Sequence, residues 1–287
     1  MSRTAWRVAV RRAEHQLLDR PLVLDDPIAV PILGGDTAAA LRENPSAFER
    51  GPFDVYLRAF MVARARFAED HLDAARDRGV RQYVILGAGL DTFAYRQGRV
   101  EPPLTIWEID RPETQVWKQA RLAAGGIPVP ANLRFVAVDF ENDVLPEALA
   151  RAGFDPAAGA VFAWLGVTMY LTPEAIDRTL RAVAAAVGAC GGIAFDYAMD
   201  RALMSPAGRA AFDALAARVE RVGEPWRTTF DPTALASRLG TLGFGAVEDA
   251  GGDELNARYF AGRADGLRVG SLARMMWAGG TLSKVVR

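Results

Sequence analysis

The stretch VILGAGLDTFAYR, residues 84–96, decides the fold, because an apolar run in it ends abruptly at Gly87 and Gly89. A buried strand that runs into a glycine turn is the usual first unit of a doubly wound α/β sheet, and the turn borders a ligand site. Amphipathic helical patterns precede residue 80, whereas apolar segments and helical patterns alternate from Arg81 onwards. The stretch therefore marks the first strand of a predicted parallel sheet.

Near-continuous apolar segments recur after this stretch, as is typical of strands buried on both faces of a sheet. The predicted strands are 82–86, 104–109, 133–138, 160–165 and 192–197, and the helices between them are 92–97, 112–124, 144–151 and 173–187. Five such repeats predict an α/β fold with a doubly wound parallel sheet. Further helices are expected at 207–221 and 232–242, followed by late strands in FGAVEDAG, residues 244–251, and NARYFAG, residues 256–262.

The N-terminal part of the chain has helical periodicity. Apolar residues at three- and four-residue spacings predict helices over 4–18 and 54–78, and a short helical piece that ends at Asn44 lies between them. We therefore predict an N-terminal helical cap over 1–80 and a ligand-binding core over 81–287, which together form a single globular unit.

Composition and charge exclude several classes of partner. The chain has 287 residues, and its 34 basic and 35 acidic side chains leave a net charge of −1, so no strong field would attract nucleic acid or an anionic membrane. The basic tract RTAWRVAVRR, residues 3–12, is expected to form a solvated helix face. Because Cys190 is the single cysteine and no signal-like segment opens the chain, we expect a cytoplasmic protein. We expect no metal site, and the sequence leaves the oligomeric state open.

Acidic residues follow three of the predicted strands. Asp91 comes after the glycine turn, and Asp110 and Asp139 end the second and third strands. The carboxyl ends of parallel strands meet at one edge of a sheet, and an acid about 20 residues after the glycines is placed to bind a ribose diol. Asp139 could accept a hydrogen bond from an adenine amino group while Phe140 packs on the base. The strand ends therefore predict a nucleoside ligand.

Asp91 separates the two common nucleoside ligands. A dinucleotide places its pyrophosphate at the helix that follows the glycine turn, and a carboxylate there would repel it. S-adenosylmethionine has no phosphate and carries an ammonium and a sulfonium, which suit an acid-lined loop. The sequence therefore favours S-adenosyl-L-methionine, and an NAD(P)-dependent oxidoreductase is the alternative.

Arg64 lies on the apolar stripe of the predicted helix 54–78, together with His71. A buried guanidinium must be paired, because an unpaired buried charge is very costly. Its partner could be the methionine carboxylate of the cofactor or an acid of another helix. His71 is more simply interpreted as a packing residue.

Several segments resemble the leucine carboxyl methyltransferase family, in particular its bacterial O-methyltransferase branch similar to the tetracenomycin polyketide methyltransferase. The segments that carry the resemblance are QYVILGAGLDTFAYR (82–96), WEIDRPETQVWKQARLAAGGI (107–127), FVAVDFE (135–141), WLGVTMYLTPEAI (164–176) and ELNARYFAGRADGL (254–267). The resemblance implies a class I methyltransferase fold, a Rossmann-like seven-stranded sheet whose last strand is antiparallel, covered by an N-terminal helical cap.

The resemblance also implies roles for individual residues. An arginine of the helix before the first strand holds the methionine carboxylate in the family, and it corresponds to Arg64, or to Arg66 in the alternative register. The other residues predicted to bind the cofactor are Gly87, Ala88, Gly89, Asp91, Asp110, Asp139, Phe140 and Leu165. Leu165 is a departure from the family, because the eukaryotic protein-phosphatase methyltransferases and many bacterial relatives have a glutamate at this position. This departure weakens any transfer of the phosphatase substrate of those relatives to this chain.

The methyl acceptor is less defined by the sequence. The chain has only two histidines, His15 and His71, so a dedicated imidazole base is not expected, and a carboxylate acceptor would need none. Candidates for lining the acceptor side are Tyr170, Arg96, Tyr197, Tyr259 and Arg263. We therefore predict an S-adenosylmethionine-dependent O-methyltransferase of secondary metabolism, acting on a carboxylate or phenol oxygen of a small molecule such as a polyketide. A cofactor-binding partner protein without activity is a further alternative.

Overall fold

The computed structural model describes residues 2–97, 103–221 and 223–281, and their centre is a seven-stranded sheet. The strands are β1 Gln82–Leu86, β2 Thr105–Asp110, β3 Leu133–Ala137, β4 Val161–Trp164, β5 Gly192–Asp196, β6 Ala246–Ala250 and β7 Met275–Gly279. Their order is β3-β2-β1-β4-β5-β7-β6. The first five strands are parallel, and β7 is antiparallel to both of its neighbours. This confirms the predicted doubly wound α/β fold and its antiparallel last strand.

Helices cover both faces of this sheet. They are α1 Arg3–Leu18, α2 Gly35–Glu43, α3 Pro52–Asp77, α4 Pro112–Ala124, α5 Leu145–Arg151, α6 Pro173–Ala184, α7 Pro206–Glu220, α8 Pro232–Thr241 and α9 Gly252–Tyr259. The alternation of β1 side chains shows why both faces are buried: Tyr83 and Ile85 pack in a cluster with α3, whereas Val84 and Leu86 pack with α5, α6 and α8.

The N-terminal helices pack on one face of the sheet and on the turn after β1. α1 lies along α3, and α3 contacts β4, β5 and β7. A separate apolar cluster joins α1 and α2 to Leu90 of the turn after β1 and to Leu122 of α4. α3 ends at Asp77 and β1 begins at Gln82; the division into a cap and a core near residue 80 stays a prediction.

Two predicted elements near the sheet are wrong. Residues 256–259 of NARYFAG belong to α9, whose first turn is stabilised because the Glu254 carboxylate accepts a hydrogen bond from the Gly251 amide at 3.0 Å. The last strand is instead β7, MMWAG, whose fully buried apolar run has no alternation to identify it. The helix predicted over 92–97 is only a short 3-10 turn at Phe93–Tyr95. No helix in the described ranges combines the length and apolar character needed to cross a membrane.

Candidate functional site

The turn after β1 requires glycine at two positions. Gly87 and Gly89 have φ angles of +70° and +47°, a region that side chains with a Cβ atom rarely adopt. A Cβ atom on Gly87 would also lie 2.4 Å from Cγ2 of Val167, in the segment after β4. The two glycines therefore let the turn pass close to the end of β4.

Asp110, at the end of β2, points toward this turn. Its carboxylate accepts hydrogen bonds from the backbone amides of Gly89 at 2.6 Å and Arg111 at 2.8 Å. Burial raises the pKa of the Asp110 carboxyl above its usual value, and these two hydrogen bonds offset the effect only in part. One carboxylate thus fixes the glycine turn and borders the space beside it.

Asp139 follows β3 and lies at the same edge. Its carboxylate accepts hydrogen bonds from the Glu141 amide at 3.1 Å and the Asn142 side chain at 3.0 Å. Burial raises the pKa of Asp139, but these hydrogen bonds and the Arg111 guanidinium 3.6 Å away outweigh it, so the pKa lies below its usual range. Asp139 is therefore ionised throughout the neutral range.

A cavity of about 670 Å³ lies at this edge of the sheet, and we call it the strand-end cavity. All the residues predicted to bind the cofactor line it, namely Arg64, Gly87, Ala88, Gly89, Asp91, Asp110, Asp139, Phe140 and Leu165. The structure thus brings together the ends of β1, β2, β3 and β4 around one space. Their individual roles toward a cofactor stay predictions.

Arg64 is paired within the protein. Its Nη1 atom lies 2.8 Å from Oδ2 of Asp196, at the end of β5, so the acidic partner comes from a strand and not from a helix. Asp196 also accepts a hydrogen bond from the Gly166 amide at 2.5 Å. Arg66, the alternative in the other register, has a half-exposed side chain bound to Asp70 and does not line the cavity. Arg64 is therefore the arginine of α3 that reaches the strand-end cavity.

The tract 3–12 is not the solvated face that the sequence suggested. Arg11 and Arg12 are each only 4% exposed, because α1 packs between α3 and the glycine turn. Arg12 lines the strand-end cavity and donates hydrogen bonds to Asp26 and Thr92. A cation between apolar residues of an amphipathic helix, the signal used for Arg64, would have identified Arg12 as well.

A second cavity of about 620 Å³ adjoins the first, and we call it the apolar cavity. The residues that line both cavities are Thr4, Val8, Met61, Arg64, Gly166 and Tyr170, and we call them the junction. Aromatic side chains form much of the remaining wall of the apolar cavity, namely Phe53, Tyr56, Phe60, Tyr197, Phe212 and Trp226. A molecule in the apolar cavity would therefore meet a molecule in the strand-end cavity at the junction.

The five predicted acceptor-side residues separate into two groups. Tyr170 lies at the junction, and Tyr197 lines the apolar cavity while its hydroxyl donates to Asp249 at 2.8 Å. The other three line neither cavity, and the structure does not bring them to the junction. Acidic neighbours hold them elsewhere: Arg96 pairs with Glu69, the Tyr259 hydroxyl donates to Asp70, and Arg263 pairs with Asp265.

Both histidines of the chain lie outside the two cavities. His15 Nδ1 is 2.8 Å from Asp19, and its Nε2 accepts a hydrogen bond from the Val23 amide. His71 stacks on Trp277 with ring centroids 4.2 Å apart, and burial lowers its pKa below the usual value. Neither imidazole can therefore act on a ligand at the junction.

Comparisons with known proteins agree with this geometry. Residues 5–184 match the family model described as leucine carboxyl methyltransferase. A candidate S-adenosyl-L-methionine-dependent methyltransferase of Bacillus subtilis (strain 168) is 29% identical over 93% of each chain. Another, from Mycobacterium avium (strain 104), is 35% identical over 69% of this chain and 66% of its own length. The comparisons give the oxidoreductase alternative no support.

Solved structures support the same fold. A crystal structure of a candidate methyltransferase from Thermobifida fusca YX superposes with a TM-score of 0.57 at 19% identity, covering 96% of this chain and 94% of that one. A family DUF574 protein from Streptomyces avermitilis MA-4680 gives a TM-score of 0.56 at 14% identity, covering 97% of both chains. At these identities the likeness concerns the fold alone.

Proposed function

The chain belongs to the leucine carboxyl methyltransferase family and is an S-adenosyl-L-methionine-dependent methyltransferase, and from this premise we propose that it methylates an oxygen of a small apolar molecule such as a polyketide. A carboxylate oxygen is the acceptor that the site favours. The observation that carries the proposal is the junction, where the strand-end cavity adjoins an aromatic-lined cavity that neither histidine lines.

The strand-end cavity has the groups that S-adenosyl-L-methionine requires. Asp110 would accept hydrogen bonds from the ribose diol, and Asp139 and Phe140 would bind the adenine ring. Arg64 and Arg12, two cations that line the same cavity, would bind the methionine carboxylate. When bound, the cofactor supplies an electrophilic methyl group on a sulfonium.

The groups at the junction favour an acceptor that is already ionised. A carboxylate carries its charge near pH 7, whereas a phenol must first lose a proton to a base. Two acids contact junction residues, and both are engaged: the Arg64 guanidinium and the Gly166 amide bind the two oxygens of Asp196, and Glu224 accepts a hydrogen bond from the Thr4 hydroxyl. The protein would therefore act mainly by positioning two reactants, which can lower the activation free energy by roughly 7–11 kcal/mol.

Tyr170 would orient the acceptor and would not act as a base. Burial raises the pKa of its hydroxyl above the usual value, so the hydroxyl keeps its proton at neutral pH. Because Tyr170 lines both cavities, its protonated hydroxyl can donate a hydrogen bond to an acceptor oxygen at the junction.

The test is a methylation assay with methyl-labelled S-adenosyl-L-methionine and a panel of apolar carboxylic acids, phenols and aromatic polyketide acids. The labelled product is then treated with base, which releases volatile methanol from a methyl ester and leaves an aryl methyl ether intact. We expect base-labile label from the carboxylic acids. Label that is stable to base would identify a phenol, and not a carboxylate, as the methyl acceptor. Cofactor binding without turnover on any oxygen acceptor would contradict the proposal.

A further inference from the structure

Two adjacent faces of α1 line different cavities. Thr4 and Val8, one turn apart, lie at the junction. Arg12 is one turn further along and lines only the strand-end cavity, whereas Arg7 and Arg11 line only the apolar cavity. Side chains three and four residues apart share a helix face, so Arg7 and Arg11 form a second face that turns away from the cofactor side.

Most cations of the apolar cavity have acidic partners. Arg11 pairs with Glu14 at 2.6 Å and with Asp54 at 3.2 Å, and Arg218 pairs with Asp54 at 2.8 Å. Arg7 is the exception on this wall, because it has no ion-pair or hydrogen-bond partner in the part of the chain that the structure describes. Its guanidinium is therefore available to a ligand.

The surroundings of Arg7 favour an anion. Burial and repulsion from Arg218, Arg50 and Arg3 lower the pKa of Arg7, and attraction to Glu224 offsets this only in part. Positive charge thus exceeds negative charge at this end of the apolar cavity. A bound anionic group would relieve the repulsion and would gain a charge-assisted hydrogen bond.

We propose that the apolar cavity takes an acceptor with two acidic groups, one that is methylated at the junction and a second that is bound by Arg7 and keeps its charge. The oxygen that receives the methyl group must lie at the junction, since the donor occupies the strand-end cavity. Arg7 does not line the strand-end cavity, so the group it binds is a different one. This proposal rests on the proposed function only for the identity of the reacting oxygen.

Arg268 is the competing cation. It lines the apolar cavity and donates to the Tyr56 hydroxyl at 3.5 Å, but it is exposed to solvent and its guanidinium lies over the Tyr56 ring, 5.8 Å from the centroid. Solvent screens an exposed charge, so we expect Arg7 to bind the anionic group and Arg268 to contribute little.

The test uses two fluorescent probes with the same aromatic skeleton, 8-anilinonaphthalene-1-sulfonate, which is an anion, and N-phenyl-1-naphthylamine, which is neutral. Each is titrated into the full chain saturated with S-adenosylhomocysteine, so the result does not depend on turnover. We expect Arg7→Gln to weaken binding of the sulfonate by about tenfold or more, as for a lost hydrogen bond to a charged group. The affinity for the neutral probe should change by no more than about twofold.

Matched variants test whether the loss of sulfonate affinity comes from Arg7 itself and whether the probes bind in the apolar cavity. Arg3→Gln and Arg50→Gln remove the same charge from exposed positions beside Arg7 that do not line the apolar cavity. Both variants should leave the affinity for the sulfonate within about twofold of the unmodified chain. Phe212→Ala, in the aromatic wall, should weaken both probes, which would place them in the apolar cavity. Arg7→Lys, which keeps the charge, should recover part of the sulfonate affinity.

Four outcomes would overturn the proposal. They are an equal loss of sulfonate affinity in Arg50→Gln, an equal loss of both probes in Arg7→Gln, no effect of Phe212→Ala on either probe, and a loss in Arg268→Gln that Arg7→Gln does not reproduce. With an acceptor from the methylation panel that carries two acidic groups, Arg7→Gln should raise KM and leave kcat within about twofold. A fall in kcat larger than the rise in KM would mean that Arg7 binds the reacting group.

Discussion

The strand-end cavity and the apolar cavity share a wall but differ in how their charges are held. In the strand-end cavity, two hydrogen bonds fix each acid: Asp110 accepts from the Gly89 and Arg111 amides, and Asp139 accepts from groups of its own turn. In the apolar cavity, Arg7 has no such partner within the described residues. Groups fixed in advance suit a ligand that is always the same, such as a cofactor, whereas an unpaired cation suits recognition of a variable acceptor.

The ion pair at the shared wall should give the largest effect on stability. Asp196→Ala leaves the Arg64 guanidinium, 7% exposed, without its partner, and we expect a loss of about 3–5 kcal/mol in the free energy of unfolding. Urea unfolding monitored by circular dichroism measures it. Asp213→Ala, which removes the partner of Arg201 in an exposed ion pair, is the control and should change little. A small loss in Asp196→Ala would show that Arg64 is readily solvated, and the two cavities would then not share a rigid wall.

Asp110→Ala tests the fixed charge of the strand-end cavity. The carboxylate holds the Gly89 amide and is placed for the ribose, so we expect affinity for S-adenosyl-L-methionine to fall about 10- to 100-fold, as for hydrogen bonds to a charged group. Calorimetric titration measures the affinity, and Asp177→Ala, an acid outside the cavity, serves as the control. Unchanged affinity with a retained fold would remove Asp110 from the cofactor site.

Much of the strand-end cavity could be predicted because parallel strands deliver their carboxyl ends to one edge, so Asp110 and Asp139 follow from strand order alone. The same rule places Tyr197, which directly follows β5, at this edge of the sheet. Strand order could not predict the positions of Arg7 and Arg11. The apolar cavity is lined by faces of α1, α3 and α7, and the contacts of these helices depend on how distant segments of the chain pack. The sequence could not place Arg96, Tyr259 and Arg263, because it does not show that Glu69, Asp70 and Asp265 bind them away from both cavities.

Gly87→Ala tests how tightly the glycine turn is fixed to the segment after β4. The new Cβ atom would meet both an unfavourable φ of +70° and Val167 Cγ2 at 2.4 Å. We expect a loss of about 2–3 kcal/mol in the free energy of unfolding. Gly153→Ala is the matched control, because Gly153 has a φ of +80° with nothing within 4 Å of the new atom, and it should cost only about 1 kcal/mol for the backbone strain. Equal losses would mean that Val167 moves freely.

Arg7→Gln should have the smallest effect on stability, although we expect a large one on binding of an anion. Arg7 forms no ion pair among the described residues and is repelled by three neighbouring arginines, Arg218, Arg50 and Arg3, so its removal should leave the free energy of unfolding within about 0.5 kcal/mol. Arg218→Gln, which takes one of two cations from the buried Asp54, should cost about 1 kcal/mol. Urea unfolding of both variants at low salt measures the difference. A loss above about 1 kcal/mol in Arg7→Gln would show that the cation supports the fold, and a cation needed for folding would not be free for a ligand.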